Sequence, residues 1–386
     1  MDLSLTEEQL LIQETARRFA ESELAPKAEQ LDQSKDREII KSHCRHLAEL
    51  GFMGLNVSSE YGGTEAGPIA FSLAITELAK ACASTAVTVS VTNMVAEVIQ
   101  AMGSDEQKQQ YLPPLCDGRW LAGSFCLTES GAGSDPSGMR AQAIADGDDW
   151  VIDGVKQWIT SAEFAGVFVV WAVTDRNADK GKGITCFLVE ADNPGVSVSK
   201  AEKKMGQHGS ATNEVVFDGC RVPSAAILGG LNQGFKLAVT ELAGGRIGIG
   251  SLALGIGQAA MAYAVEYVKE RKQFGKALAG FQGLQWMIAD RMTELEAARL
   301  LLMSAASKKQ QGLPYGTEAS MAKLFASEKA NKACYSALQL LGGYGYMQEY
   351  PLERYSRDVR ITSIYEGTSE IQRLIIARDV LSDHGR

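Results

Sequence analysis

Residues 364–378 read IYEGTSEIQRLIIAR, in which an apolar run meets an acid, a glycine and two hydroxyls before a helical pattern begins. Thr368 or Ser369 can cap the N-terminus of that helix, and Glu370 in its first turn suits the helix dipole. Glu366 is therefore predicted in a loop beside a helix N-terminus, where Gly367 allows close approach of backbone to a ligand. A buried carboxylate there would have a raised pKa and could act as a general base, whereas an exposed one would be an ordinary surface acid.

Outside this stretch, helical patterning is interrupted by one block of short strands. Helical periodicity dominates residues 1–122, strands and turns fill 123–230, and long helices return over 231–386. We therefore predict a mostly α-helical protein with an N-terminal helical domain, a middle β domain and a C-terminal four-helix bundle. Evenly spaced strands without intervening helices are typical of a small closed β-barrel, which is our prediction for the middle domain.

Local signals refine this architecture. The run from Thr6 to Gln9 predicts a capping box at the first helix. Pro113 and Pro114 predict the end of another helix. The strands of 150–158 predict a hairpin that turns at Asp153 and Gly154. An apolar, glycine-rich stretch from about 235 to 272 predicts one long helix.

Composition and charge exclude several classes of function. The 386-residue chain is 45% hydrophobic and carries a net charge of −9, which argues against nucleic acid as a bulk partner. It contains no uninterrupted apolar run of about 18 residues, so we expect no membrane span. The first residues lead directly into an acidic helix, and we expect a cytoplasmic protein without a signal or transit peptide.

Cysteine and histidine usage predicts neither disulfides nor a metal. The seven cysteines are scattered and contain no C-x-x-C pair, which is typical of reduced, buried thiols. The four histidines, His43, His46, His208 and His384, lack metal-ligand spacing, so we expect no metal site.

Two motifs in the middle block could bind a flat or anionic ligand. Residues 125–135, FCLTESGAGSD, predict a strand that runs into a glycine-rich turn. Free N–H groups there could hold a polar ring or a phosphate, or the segment could be a plain β-turn. Residues 158–161, WITS, place Trp158 beside hydroxyls, where the indole could stack on a cofactor or pack in the core.

Two further motifs lie in the C-terminal block. Residues 270–276, ERKQFGK, could bind a pyrophosphate or complement a helix C-terminus. Residues 339–346, QLLGGYGY, form a glycine-rich helix exit that either brings backbone near a ligand or is an ordinary C-cap.

Taken together and in this order, the motifs resemble those of the acyl-CoA dehydrogenase family. The segments that carry the resemblance are LTESGAGSD, WIT, RKQFG, QLLGGYGY and IYEGTSEIQR, and it extends over essentially the whole chain. The resemblance implies a helical–β–helical fold, non-covalently bound FAD and an acyl-CoA substrate. It also implies a homotetramer built as a dimer of dimers, and electron-transfer flavoprotein as electron acceptor.

The resemblance assigns roles to individual residues. Glu366 would be the base that removes the α-proton as a trans-2-enoyl-CoA forms. Thr160 would lie near flavin N5 beside Trp158, and the pyrophosphate and adenosine would be held partly across a subunit interface. The implied cofactor residues are Phe125, Leu127, Thr128, Gly133, Ser134, Trp158, Ile159, Thr160, Arg271, Gln273, Phe274, Phe281, Gln282, Gln339, Leu340, Gly342, Gly343, Thr368 and Glu370. The implied substrate residues are Ser134, Arg246, Tyr365, Gly367 and Arg378.

Two departures from the family pattern affect the expected site. Ala243 stands three residues before Arg246, where many members have an acid, so the resemblance does not carry that acid's CoA contact over to this chain. Gly245 stands where some members carry a glutamate base, which leaves Glu366 as the base candidate. The segments GGRIGIGSLALGIGQA, MAKLFAS and LGGYGY resemble short-chain and isobutyryl-CoA members, and favour a short straight or 2-methyl-branched acyl group.

Two other functions remain open from the residues. An acyl-CoA oxidase or flavin lyase could use the same scaffold and would react with oxygen or bypass an external acceptor. A non-catalytic scaffold that binds acyl-CoA or flavin is the alternative outside enzyme chemistry.

Overall fold

The N-terminal part of the chain is helical in the computed structural model, which describes residues 4–34 and 36–382; His384 lies outside them. Thr6 caps the first helix in a capping box with Gln9, as predicted. The helix expected to stop at Pro113 continues to Cys116, because Pro114 and Leu115 are buried in the last turn. The helices are α1 (Glu7–Phe19), α2 (Ala28–Ser34), α3 (Arg37–Glu49), α4 (Gly67–Ala81), α5 (Ala83–Met102) and α6 (Asp105–Cys116).

The middle of the chain forms one eight-stranded sheet. The strand order is β6-β7-β3-β2-β4-β5-β8, and β1 pairs in parallel with β4. The strands are β1 (Gly123–Cys126), β2 (Gln142–Asp146), β3 (Asp149–Thr160), β4 (Val167–Val173), β5 (Ile184–Glu190), β6 (Val196–Val198), β7 (Thr212–Pro223) and β8 (Ile227–Leu228).

The prediction of a closed barrel is wrong. Among the described residues the sheet begins at β6 and ends at β8, and these two strands do not pair with each other. Strand number and spacing resemble those of a small barrel, but closure depends on whether the terminal strands meet. Here β6 and β8 have only three and two residues, so the sheet remains open.

The prediction of a hairpin turn at Asp153 and Gly154 is also wrong. Both residues lie inside β3, and the β2–β3 hairpin turns instead between Asp146 and Asp149. Gly154 lies at a register shift with β7, where its φ is 153°. A Cβ at Gly154 would come within 2.5 Å of the Cβ of Ala141, so close packing explains this glycine better than a turn does.

The C-terminal part is a bundle of long helices that follows the long-helix prediction closely. The helices are α7 (Gly234–Glu270), α8 (Gln282–Gln310), α9 (Gly316–Leu341), α10 (Leu352–Arg360) and α11 (Ser369–Leu381), and a two-stranded ribbon of β9 (Lys272–Gln273) and β10 (Lys276–Ala277) follows α7. The largest apolar core joins α4 and α5 to α7, α8 and α9. This shared core fixes the position of α5 and α9 relative to α7.

Helix α7 is long and apolar enough to cross a membrane by length and composition alone. Within its most apolar window, 78% of the residues are buried inside the protein. Its hydropathy therefore matches its position in the core of the bundle.

All seven cysteines are free and buried, as predicted. Across the described part of the chain, no group of three or more His, Cys, Asp or Glu side chains could hold a metal ion.

Candidate active site

Glu366 lies in a tight turn just before α11. Its φ is 52° and that of Gly367 is 90°, so two consecutive residues adopt left-handed backbone. Thr368 caps α11, since its Oγ1 accepts a hydrogen bond from the Ile371 amide at 3.3 Å. The predicted loop beside a helix N-terminus is therefore present.

Two side chains hold the carbonyl groups of this turn. Gln372 Nε2 donates to the carbonyl oxygens of Glu366 at 3.2 Å and Gly367 at 2.9 Å. Lys323 Nζ, on α9, donates to the same Gly367 oxygen at 2.7 Å. Gln372 and Lys323 are both buried, so they fix the turn from two different helices.

The Glu366 carboxylate points into the protein. Its Oε2 is buried and has no hydrogen-bond partner among the described residues. Burial raises the pKa of Glu366 to about 7, while the positive charges of Lys323 and Arg246 oppose that rise. The interpretation of Glu366 as an ordinary surface acid does not fit this environment.

Arg246 on α7 contributes the second buried cation. Its Nη1 donates to Ser320 Oγ on α9 at 3.3 Å. Its Nε is buried without a hydrogen-bond partner among the described residues. Burial lowers the pKa of the guanidinium, and the nearby Glu366 partly offsets that effect. An unpaired donor and an unpaired carboxylate oxygen thus belong to the same cluster.

The Glu366 carboxylate packs against Gly245, a position on α7 that has no side chain. A Cβ at Gly245 would overlap Glu366 Oε2 and would lie 2.8 Å from Met94 Sδ on α5. The site therefore lies where α5, α7 and the turn before α11 meet.

Tyr365 connects the turn to the sheet domain. Its hydroxyl accepts a hydrogen bond from Gln207 Nε2 at 3.2 Å, and the Gln207 side chain also donates to the Asp358 carbonyl at 3.1 Å. Burial raises the pKa of the Tyr365 hydroxyl and raises that of Asp358 to about 6. Tyr365 is thus fixed by groups outside its own loop.

In the sheet, Trp158 is turned out of the strand. It lies at an irregularity in the β3–β7 pairing, has a φ of 57°, and its residue surface is 57% exposed. It is not a core tryptophan. Beside it, the Thr160 carbonyl accepts a hydrogen bond from Ser124 Oγ at 2.7 Å, which links the end of β3 to β1.

Lys156, which is fully buried, stabilises the glycine-rich turn after β1 through hydrogen bonds. Its Nζ donates to the Leu127 carbonyl at 3.2 Å and to Glu129 Oε1 at 2.8 Å. The other Glu129 oxygen accepts from the Arg140 amide at 2.6 Å. The Thr128 carbonyl accepts a hydrogen bond from the Gln157 amide at 2.8 Å, so the turn is joined to the strand that carries Trp158.

The remaining predicted residues of the sheet domain divide by exposure. Gly133 and Ser134 are exposed, and a Cβ at Gly133 would meet no atom within 4 Å. The side chains of Leu127 and Ile159 are buried in two different apolar cores. These two residues could therefore bind a ligand only through their backbone groups. Phe125 is half-buried, with its ring 4.3 Å from that of Trp171.

Several predicted residues of the bundle line one cleft of about 620 Å³. Those shared with the prediction are Arg271, Gln273, Gln339, Leu340, Gly342 and Gly343. The guanidinium carbon of Arg271 lies 5.5 Å from the ring centre of Tyr344. The structure thus brings together the RKQFG and QLLGGYGY motifs, which are about 70 residues apart in the chain.

Other predicted residues lie at the margins of these groups. Phe274 is 91% exposed at the tip of the β9–β10 ribbon, with its ring 6.2 Å from that of Phe281. Gln282 is exposed at the start of α8, and Glu370 is exposed in the first turn of α11. Arg378 is exposed near the end of α11, about 14 Å along the helix from Ser369 at 1.5 Å per residue.

Comparison with known proteins decides the family. Models of the N-terminal, middle and C-terminal domains of acyl-CoA dehydrogenase match residues 6–119, 124–220 and 232–381. The chain belongs to the acyl-CoA dehydrogenase family. Members of this family are FAD-dependent oxidoreductases that act on acyl-CoA.

Relatives of this acyl-CoA dehydrogenase match over its full length. A probable acyl-CoA dehydrogenase of Bacillus subtilis is 44% identical, covering 99% of this chain and 100% of its own. A short-chain-specific acyl-CoA dehydrogenase of Clostridium acetobutylicum is 44% identical, covering 98% and 99%. Butyryl-CoA dehydrogenase from Megasphaera elsdenii has a similar structure, with a TM-score of 0.95 at 40% identity over 99% and 100% of the two chains.

Three exposed surfaces of this structure suit the binding of FAD. The exposed indole of Trp158 offers a flat surface, and the open glycine turn after β1 leaves backbone accessible. The cleft beside Arg271 offers a cation and two glycines. A flavin ring and a pyrophosphate need these kinds of surface.

Several residues of the site in this acyl-CoA dehydrogenase were not predicted from its sequence. Lys323, Gln372 and Met94 contact the Glu366 turn or its surroundings, and Lys156 supports the glycine-rich turn. Lys323 could have been noticed in the sequence, because it lies on an alanine-rich face of its helix. A lysine is rarely buried on such a face. Gln372 lies within the IYEGTSEIQR segment, but no role was predicted for it, and nothing in the local pattern around Met94 marks that residue as part of the site.

Proposed function

We propose that this acyl-CoA dehydrogenase converts a short-chain acyl-CoA, straight or 2-methyl-branched, to the trans-2-enoyl-CoA. Glu366 is the base for the α-proton, and electron-transfer flavoprotein accepts the electrons. The observation that carries the proposal is the Glu366 carboxylate itself. Its Oε2 is buried and unpaired among the described residues, and its pKa is raised to about 7.

The raised pKa matches Glu366 to its task. The α-hydrogen of a thioester is weakly acidic, so the base must be stronger than an exposed carboxylate and still ionised near neutral pH. Burial supplies that increase in basicity. Glu366 would take the α-proton on its carboxylate, and the α-carbon electron pair would become part of the new double bond.

A buried donor beside Glu366 could support the negative charge that develops on the substrate. As the α-proton leaves, charge builds up on the thioester oxygen, and donors aimed at a water-poor site stabilise it. Arg246 and Lys323 are both buried in this cluster, but Lys323 donates to the Gly367 carbonyl. The Nε of Arg246 is a buried donor without a described partner, and a bound thioester or its carrier could accept from it.

Residues of the middle and C-terminal domains would hold FAD. Trp158 and Thr160 would flank the ring, Thr128 and the Leu127 backbone would bind its polar edge, and the Arg271 cleft would hold the pyrophosphate and adenosine. The chemistry that bound FAD would supply is that of an acceptor for the β-hydrogen and its electron pair. Water exclusion around Glu366 would then come from the packed helices α5 and α7.

Close helix packing beside Glu366 supports a short acyl group. A Cβ at Gly248, one turn beyond Gly245 on α7, would overlap Ser90 Oγ and would lie 3.3 Å from Phe71 Cζ. Helices α4, α5 and α7 therefore approach closely near the base, with Met94 at the same level. The relatives named short-chain-specific and butyryl-CoA dehydrogenase agree with this size.

The homotetramer is part of the same proposal. Large aromatic side chains are exposed on the C-terminal bundle, including Phe274 at 91% and Tyr346 at 75%. Such exposure on one domain is typical of an interface between subunits. Light scattering of the purified protein is expected to give four times the 41.5 kDa chain mass.

An anaerobic flavin-bleaching series tests the function. The holoenzyme is mixed with straight acyl-CoAs from butyryl to palmitoyl and with isobutyryl- and 2-methylbutyryl-CoA, and flavin absorbance is followed. Short substrates are expected to bleach the flavin fastest. Bleaching that increases with chain length would contradict the proposed substrate.

The Glu366→Gln variant tests the base in the same assay. It should bind FAD and acyl-CoA but fail to bleach, whereas Glu296→Gln, an exposed acid on α8, should behave as wild type. Full bleaching by Glu366→Gln would refute the role of Glu366. Reoxidation by electron-transfer flavoprotein separates a dehydrogenase from an oxidase, which would consume oxygen without it. A purified protein without flavin colour would indicate a non-catalytic scaffold.

A further inference from the structure

The turn that carries Glu366 needs support from outside its own loop. Glu366 and Gly367 both have positive φ, and the left-handed conformation is unfavourable for a residue with a Cβ. A strained residue keeps such a conformation only when its surroundings determine it. Hydrogen bonds to the carbonyl oxygens of these two residues connect the turn to the side chains around it.

Among the residues that the structure describes, Lys323 is the one side chain outside α11 that donates a hydrogen bond to the carbonyl groups of this turn. Gln372 is on α11, so it is part of the same local segment as the turn. Lys323 is on α9, is fully buried, and donates to the Gly367 carbonyl at 2.7 Å. It therefore connects the catalytic turn to the rigid core between α7 and α9.

Lys323 differs from Lys156, the other fully buried lysine that the structure describes, in the kind of partner that it has. Lys156, which is also fully buried, has Glu129 Oε1 at 2.8 Å as a direct ion-pair partner. In the described residues, no carboxylate lies within ion-pair distance of Lys323, whose hydrogen-bond acceptor is a neutral carbonyl. Burying an ammonium in this way is costly unless a nearby charge compensates it.

The charges that face Lys323 come from three elements. Glu366 lies in the turn, Arg246 on α7, and the exposed Glu370 in the first turn of α11. Of the two acids, Glu366 has a buried carboxylate oxygen, whereas Glu370 is exposed. The buried charge that compensates Lys323 is therefore the proposed base, and the two groups stabilise each other's charged form.

We propose that Lys323 is a positioning residue for α-proton abstraction, which fixes the Glu366 turn through the Gly367 carbonyl and presents a positive charge to the Glu366 carboxylate. This inference rests on the proposed function. Lys323 does not touch the reacting atoms; it acts through Glu366.

The test compares three variants as holoenzymes in anaerobic bleaching by butyryl-CoA between about pH 5.5 and 9.5. Lys323→Met removes both donor and charge while filling the same apolar space. Lys323→Arg keeps both. Lys332→Met is the control, since Lys332 is on the same helix but exposed. Flavin content and circular dichroism are measured for each variant.

Lys323→Met is expected to lower the limiting bleaching rate by about 10- to 100-fold, because a displaced base loses its alignment with the α-proton. The pH at half-maximal rate should also move upward, because a positive charge that favours ionised Glu366 is lost. Lys323→Arg should recover most of the rate, and Lys332→Met should match wild type in both measures.

Two results would overturn the proposal. One is a Lys323→Met enzyme with the wild-type rate and the wild-type pH midpoint. The other is a lower rate with an unmoved midpoint, which would assign Lys323 to folding alone. The Glu366→Gln variant in the same series keeps the two proposals separate, since its full bleaching refutes the base whatever Lys323 does.

Discussion

Gly245 and Glu366 occupy one space between α7 and the turn before α11. A Cβ at position 245 would overlap Oε2 of Glu366, and the same Cβ would lie 2.8 Å from Met94 Sδ. The missing side chain on α7 therefore makes room for the carboxylate that comes from the turn. Gly245 stands where some family members carry a glutamate base. It also has a direct steric role, because it leaves room for Glu366.

Replacing Gly245 by alanine should displace the carboxylate. Alanine is the better helix former by about 1 kcal/mol, so a loss of function would not come from helix propensity. We expect Gly245→Ala to keep FAD but to bleach with butyryl-CoA about 100-fold more slowly, because the base is moved from its position. Stopped-flow absorbance measures the rate. Gly283→Ala, where a Cβ meets no atom within 4 Å, is the control, and equal rates for the two variants would contradict the steric role.

The bleaching rate should depend on the ionisation of Glu366. Its pKa is raised to about 7, and only the ionised carboxylate can accept the α-proton. The limiting rate is therefore expected to rise about tenfold per pH unit below pH 7 and to level off above it. Rapid-mixing measurements across this range check the expectation. A rate that is flat from pH 5.5 to about 8.5 would separate Glu366 from the rate-determining proton transfer.

The buried Lys156–Glu129 pair should matter for stability. Lys156 supports the Leu127 carbonyl and pairs with Glu129 at 2.8 Å. Lys156→Met leaves a buried carboxylate without its cation, which typically costs about 3–5 kcal/mol in the free energy of unfolding. Urea denaturation measures the loss.

Two comparisons control the Lys156 measurement. Removing the partner as well, in Lys156→Met with Glu129→Gln, should restore part of the stability because no unpaired charge remains. Lys182→Met breaks only an exposed pair with Asp179 and should change little. Equal losses from Lys156→Met and Lys182→Met would show that burial of the first pair is unimportant.

Arg271 should contribute to cofactor affinity. It lines the 620 Å³ cleft together with Gln339 and two glycines. A hydrogen bond from a guanidinium to a phosphate is charge-assisted, so Arg271→Met should weaken FAD binding about 10- to 100-fold. Fluorescence titration of the apoprotein with FAD measures the Kd. Lys269→Met, two residues earlier in the last turn of α7 and paired with Glu266 at 2.6 Å, should bind FAD like wild type. Unchanged binding by Arg271→Met would argue against the pyrophosphate in this cleft.

Much of the fold follows from local sequence signals. Helical periodicity and the cap at Thr6 predict α1, and the capping residue Thr368 predicts the start of α11, because both depend on side chains within one turn. The long helix α7 is predicted within two residues at each end. Its apolar composition is a property of the segment alone.

The failed local predictions have a common physical cause. Asp153 and Gly154 form a turn signal that the sheet overrides, because pairing with β7 continues on both sides of the register shift. Pro114 remains in α6 because burial of the last turn outweighs the local preference. The open sheet depends on two very short terminal strands that do not meet, which no single segment specifies.

For the site, the sequence by itself determined which residue types are available and where each motif begins. It placed Glu366 in a turn before a capped helix, and it marked Gly245 as a position without a side chain. These conclusions need only neighbours along the chain. The order of the five motifs was enough to indicate the family.

Only the tertiary structure decided what surrounds the carboxylate. The burial of Glu366 and its proximity to the charges of Arg246 and Lys323 depend on how α5, α7 and α9 pack, and these helices are far apart in sequence. A pKa near 7 arises from removal of water by that packing, opposed by two cations from different helices. The chemistry of Glu366 is therefore a property of the assembled bundle, while its position in the chain is a property of the sequence.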